Sequence, residues 1–195
     1  MGIRPALFND IPGDVHASNQ ELVYRWCVAK GWYDEPVPFL SAMALLVSEI
    51  AEIAEDYGRE GLLGGWQARP HTASEFADCY IRLLDYCERY GIALAKARDI
   101  YQHTYVQPAI GSMDRACMCL VQLVVKAMEA YRVHGLVSIG EAKFAAGAEI
   151  AKCLARFYIQ LQHTCDFYGV DLAKEFDKKM AVNWQRPYRH GNKHA

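Results

Sequence analysis

This chain of 195 residues contains no long apolar run. The longest, Cys117 to Val125, is broken by Gln122 and falls far short of the length needed to cross a bilayer. The opening residues, MGIRPALFNDIPGDVH, hold no apolar core of signal-peptide length. Neither sign of charge dominates: 21 Lys and Arg stand against 23 Asp and Glu, a net charge of -2. Such a balance gives no electrostatic case for a nucleic-acid or membrane partner. There is no CxxC…CxxC and no HExxH, which argues against structural and protease-type zinc sites. The Gly-rich stretch GLLGGWQARPHTAS, with Trp66 and His71, lacks the Gly-Lys-Ser/Thr ending of a phosphate-binding P-loop. No glutamate is followed by histidine three residues later, which excludes a carboxylate di-iron bundle. The seven cysteines are odd in number and lack paired spacing except at Cys117 and Cys119, which point two ways on a helix. A reduced, cytoplasmic chain with buried thiols is expected.

What is present reads as helix throughout, because no stretch alternates long enough to argue for a strand. After an irregular lead, Ser18 and Glu21 form a capping box that opens a helix running to Lys30 and stopping at Gly31. A second helix is expected from about Pro38 to Arg59, with Gly61 at its end. Thr72 and Glu75 form a second capping box, for a helix that ends at Gly91. A shorter helix from Ile92 to about His103 leads to a break at 107–112. The length suits one domain, or two small repeats around one core.

Chemistry concentrates between Phe39 and Asp78. Glu49 and Glu52, then Glu75 and Asp78, are each three apart, so each pair shares a helix face. Both pairs border apolar positions, where carboxylates persist only when paired or metal-bound. Two antiparallel helices would bring all four around one cavity, and an all-oxygen site selects hard cations such as Mg2+ or Mn2+. Asp85 and Glu88 have the same spacing but are expected to form a solvated face. Lys179, Asn183 and Arg186 fall on one helical stripe suited to phosphate oxygens and a base edge or ribose hydroxyl. The ending RPYRHGNKHA adds Arg189, His190, Lys193 and His194 as a basic tail, with no helical metal site between its histidines.

E-x-x-E, a gap of 22 residues, then E-x-x-D, together with the ending KMAVNWQR, resembles the MazG-like all-α NTP pyrophosphohydrolases, a superfamily that includes dimeric dUTPases and dCTP pyrophosphatases. Ser48 stands where many members carry a further glutamate. The resemblance implies hydrolysis of a nucleoside triphosphate to the monophosphate and pyrophosphate, with Mg2+ held by Glu49, Glu52, Glu75 and Asp78. Glu52 or Glu55 would hold the attacking water. Lys179, Asn183 and Arg186 would contact phosphate and nucleotide, Trp32 would stack on the base, and Arg82 would reach a phosphate or pair with Asp78 or Asp85. A homodimer is the implied assembly.

The chain also repeats itself. Tyr86–Ala97 (YCERYGIALAKA) matches Thr164–Glu175 (TCDFYGVDLAKE) at six of twelve positions, and Phe39–Gly61 aligns more weakly with Met113–Gly135. Residues 1–107 then form a first MazG-like repeat carrying the carboxylates, and 108–195 a degenerate second repeat. In the second, Leu123 replaces Glu49, Lys126 replaces Glu52, and Lys152 or Arg156 replaces Asp78, so cation binding is expected only in the first. The expectation is an all-α fused pseudo-dimer with one complete site. The competing function is a non-catalytic helical interaction module with a solvated acidic face.

Overall fold

The structure, a computed structural model, describes residues 15–61, 68–135 and 144–192. Among them there is no strand: the fold is all-α. The helices are α1 (Val15–Ala29), α2 (Phe39–Gly61), α3 (Pro70–Arg89), α4 (Leu94–Tyr101), α5 (Met113–His134), α6 (Phe144–Phe167) and α7 (Leu172–Gln185), followed by a turn of positive φ at Arg189, His190 and Gly191. A 3-10 turn, Gln102–Thr104, extends α4. None of the described helices is long and apolar enough to cross a membrane. All seven cysteines are free and all but Cys119 are buried.

Helices α2 and α3 pack on each other, as do α5 and α6, and α2 lies against α5. Their apolar stripes meet in one core that includes Phe39, Met43, Leu46, Ile50, Phe76, Leu83, Leu120, Leu154 and Phe157. Two ring contacts tie the pairs together. Phe39 packs on Tyr131 at 4.8 Å, and Tyr80 of α3 stacks almost parallel to Tyr158 of α6 at 5.3 Å and 14°. The shorter helices then cross over: α4 packs on α6, whereas α7 packs on α3.

Helix ends follow the glycines. Gly31, Gly91 and Gly169 all adopt positive φ, which an L side chain resists, and each closes a helix by a tight carboxyl-terminal turn. The last two turns are nearly superimposable in their bonding: Ile92 N donates to Cys87 O at 2.7 Å, and Val170 N to Cys165 O at 2.8 Å.

Two helix starts differ from expectation. Helix α1 already runs from Val15, so Ser18 lies within it. Helix α3 begins at Pro70 with no side-chain cap from its own N-terminus, so the Thr72/Glu75 box is absent. Glu60, at the end of α2, takes that place. It accepts from His71 N at 3.3 Å, Thr72 N at 3.1 Å and Thr72 Oγ1 at 2.7 Å. These bonds hold its carboxyl below the usual glutamate range despite the opposing effect of burial. A cap from the preceding helix ties the α2–α3 angle to the start of α3. Glu60→Ala should lower stability by about 1–2 kcal/mol, read as a fall in urea midpoint at unchanged slope; an unmoved midpoint would show the cap to be dispensable.

Candidate functional site

The packing of α2 on α3 sets the site. Glu49 interrupts the buried stripe of α2 and is itself only 5% exposed. Glu52 follows one turn later at the rim, exposed, and Glu75 projects from α3, half-buried. One carboxylate oxygen from each of these three lies within 4.8 Å of the others, a donor set that could hold a metal ion. Hard divalent cations take such all-oxygen sites; which cation this one would take is not specified by three carboxylates alone.

Asp78, one turn after Glu75, belongs to the same region but is engaged by protein. The Lys179 ammonium forms an ion pair with it and donates to Ser74 Oγ at 2.9 Å. Glu49 is likewise paired, with the Arg82 guanidinium, whose Nη1 also reaches Tyr86 Oη at 3.4 Å. Arg82 therefore meets neither Asp78 nor Asp85, the partners expected from spacing; it orients Glu49.

The remaining negative charge is poorly compensated. Burial and then the Asp78 carboxylate push Glu75 up to about 7 against the pull of Lys179, with smaller upward contributions from Glu52 and Glu49. Glu52 is also raised, by desolvation first and then by Glu49 and Asp78. For Asp78, burial outweighs the Lys179 ammonium, and the carboxyl lies above its ordinary value. Carboxyls that repel one another in a partly desolvated place gain from a cation that neutralises them.

The other sequence candidates divide. Asn183 of α7 is 2% exposed, its carbonyl accepts from Trp26 Nε1 at 3.1 Å, and its side-chain Oδ1 is buried without a hydrogen-bond partner. Arg186, just past α7, places Nη1 3.4 Å from His190 Nδ1 and acts electrostatically on Asp78. Trp32 is half-buried, edge-on to His190 at 5.0 Å. Glu55 is exposed and paired with Arg59 on its own helix, outside the carboxylate group. Ser48 is exposed and donates to Leu45 O at 2.7 Å. Trp66, Lys193 and His194 lie outside the described residues.

No family model, no curated protein and no solved structure matches this chain. The site must therefore be read from its own geometry.

Two features escaped sequence reasoning. Asp85 and Glu88 are not a solvated face: α1 lies across them. Tyr33 Oη donates to Asp85, which is buried, and Gln20 Nε2 donates to Glu88 at 2.8 Å. The second is the strap made by the segment after α7. Arg189 N donates to Lys30 O at 3.0 Å and Arg189 Nε to Gly31 O at 3.1 Å, while its guanidinium meets Asp34 and Glu35. The Tyr188 ring packs on Gly31, where any Cβ would collide with it. The basic residues of this ending therefore hold the α1–α2 connection in place, which their composition alone did not reveal.

The Glu75 shift has a definite sign. The folded state binds this proton more tightly than the unfolded chain, so the group's stabilising effect is complete below about 4.5 and is lost as pH rises to about 7. In protein free of divalent cations, Glu75→Gln should match wild type at the acid end. Above neutrality it should be more stable by on the order of 2 kcal/mol, less than the full shift because the half-exposed group is screened by solvent. Urea midpoints across that range provide the check, and parallel curves for the two proteins would mean that neither burial nor a neighbouring carboxylate raises Glu75.

Proposed function

We propose that the chain is a Mg2+-dependent nucleoside triphosphate pyrophosphohydrolase, converting (d)NTP and water to (d)NMP and pyrophosphate. The observation that carries this reading is the approach of the Glu49, Glu52 and Glu75 oxygens to within 4.8 Å of one another. In this reading Glu49, Glu52, Glu75 and Asp78 hold the cation, which when bound neutralises phosphate charge. Glu52, at the open rim, takes the proton of the attacking water; Glu55, turned to Arg59, does not. Arg82 is a positioning residue that fixes Glu49. Lys179 and Arg186 already lie in the field of Asp78 and are placed to transfer their charge to substrate phosphate. Asn183 and Trp32 supply the nucleotide contacts.

The same reading explains the crossed helices. We infer two copies of one helical unit fused in one chain, 1–107 and 108–195. Tyr80 stands six residues before Tyr86 and Tyr158 six before Thr164, so the register of the matched segments, carried six residues upstream, pairs the two stacked rings. Equivalent residues meeting face to face characterise a two-fold contact. In such an exchange α7 of the second unit serves the carboxylates of the first. Pairing of two chains into a homodimer in the cytoplasm completes the proposal.

A second reading, a non-catalytic interaction module, draws on the Glu49–Arg82 and Asp78–Lys179 pairs, which already neutralise part of the cluster. Two measurements separate them. Purified protein should release pyrophosphate from a panel of nucleoside triphosphates only with Mg2+ or Mn2+. Glu49→Gln should lower that rate by at least about 100-fold with an unchanged far-ultraviolet spectrum, because a ligand is lost while the hydrogen bond to Arg82 survives. Millimolar Mg2+ should also raise the melting midpoint of wild type. No release from any triphosphate, with a midpoint indifferent to Mg2+, would overturn the enzyme in favour of the module.

A further inference from the structure

The acidic site leaves unused a cleft of about 380 Å3 between α4 and α6. One wall carries Arg98, Gln102 and His103, and the other Gln162, His163 and Asp166. At its inner side His163 Nδ1 is buried with no hydrogen-bond partner. Leaving such an atom unsatisfied costs the desolvation of a polar group, a defect that a bound acceptor or donor would remove.

Comparison with α3 shows why the cleft is open. Asp85 and Glu88 lie six and three residues before Gly91; His163 and Asp166 lie six and three before Gly169. On α3 this face is covered by α1 and the connection that follows it, through Gln20 of α1 on Glu88 and on Leu94 N and through Tyr33, beyond the helix end, on Asp85. Among the described residues no helix crosses His163 and Asp166 in the same way, since α1 packs on α3 and α4. A place filled by protein over one helix is left as a polar cavity beside the other. Its lining is also different in kind, with an imidazole standing where α3 has a buried carboxylate.

We propose that this cleft is a second ligand site, taking a small molecule that bears a phosphomonoester. The Arg98 guanidinium is held by Asp99 Oδ1 through Nε at 3.0 Å and Nη2 at 2.7 Å, so it offers its remaining N–H groups to one wall with its charge largely balanced. The His103 and His163 rings each offer a ring N–H to phosphate oxygens, and the two glutamines donate or accept as the ligand requires. Asp166 accepts from a hydroxyl or amine on the body of the ligand. The volume exceeds what a bare phosphate fills and lies in the range of small-molecule sites. The site makes no use of the α2–α3 carboxylates, so it stands or falls separately from the pyrophosphohydrolase reading.

The test uses the full chain without divalent cations, titrated in parallel with inorganic phosphate and with a nucleoside 5′-monophosphate. Histidine ring-proton resonances locate binding, and equilibrium dialysis measures it. Saturable shifts of His103 and His163 are expected, with affinity weakened about tenfold or more in His163→Gln and in the more exposed His103→Gln. Tighter binding of the monophosphate is expected and assigns contacts to the ligand body; equal affinity for inorganic phosphate would overturn the small-molecule ligand. Absence of binding, shifts confined to other histidines, or undiminished affinity in both histidine variants would overturn the proposal.

Discussion

The rotation of α2 about its own axis is the constraint on which the site depends. Ala42, Met43, Leu46, Ile50 and Ile53 are fully buried, and this stripe leaves the helix one orientation against α3 and α5. Glu49 and Glu52 follow from it as neighbours of the stripe. A one-residue slip would turn every side chain by about 100° and expel buried methylenes, each worth roughly 0.8 kcal/mol. Phe76, Cys79 and Leu83 impose the same discipline on α3, and Glu75 and Asp78 are carried with them. Hydrophobic burial thus supplies what mutual repulsion among carboxylates costs. Arg82 and Lys179 offset part of that cost, and the raised Glu75 shows what they leave uncompensated.

Features that depend on one helix alone were legible in the sequence. The positive-φ glycines at 31 and 91 closed α1 and α3 as their placement required, and the three-residue spacings placed each acidic pair on one face. Features that depend on which element lies across a face were not. Thr72 and Glu75 satisfy a capping pattern, yet Glu60 reaches the same amides from α2, and a longer helix results. Asp85 and Glu88 resemble a solvent face until α1 covers them. Arg82 has carboxylates one turn away on its own helix but pairs with Glu49 across the α2–α3 contact, where both side chains gain from reduced solvent screening.

Lys179 shows the same division more sharply. Its spacing from Asn183 and Arg186 marks a polar stripe, but no local pattern reveals that α7 would dock on α3, 101 residues earlier at Asp78. Loop-closure entropy makes so distant a contact costly, and the Tyr80–Tyr158 stack and Phe176 packed on Tyr80 show where apolar burial repays it. The ammonium arrives at the carboxylates because α7 has apolar reasons to be there. Charge is placed by packing rather than packing by charge.

The second half extends this argument. Where α2 and α3 gather carboxylates, α5 and α6 bring Glu149 and the three bases Lys152, Lys126 and Arg156 close enough to act on Cys153, with Lys152 paired to Glu149. In the fused-repeat reading these bases are the replacements for Glu52 and for Ser74 or Asp78, so the two halves present opposite charge at equivalent places. Two acidic clusters around one small core would double the repulsion while offering only one α7 lysine to relieve it. Inverting the charge of one cluster removes that repulsion. In that reading α7 is left free to bring Lys179 to the carboxylates of α3.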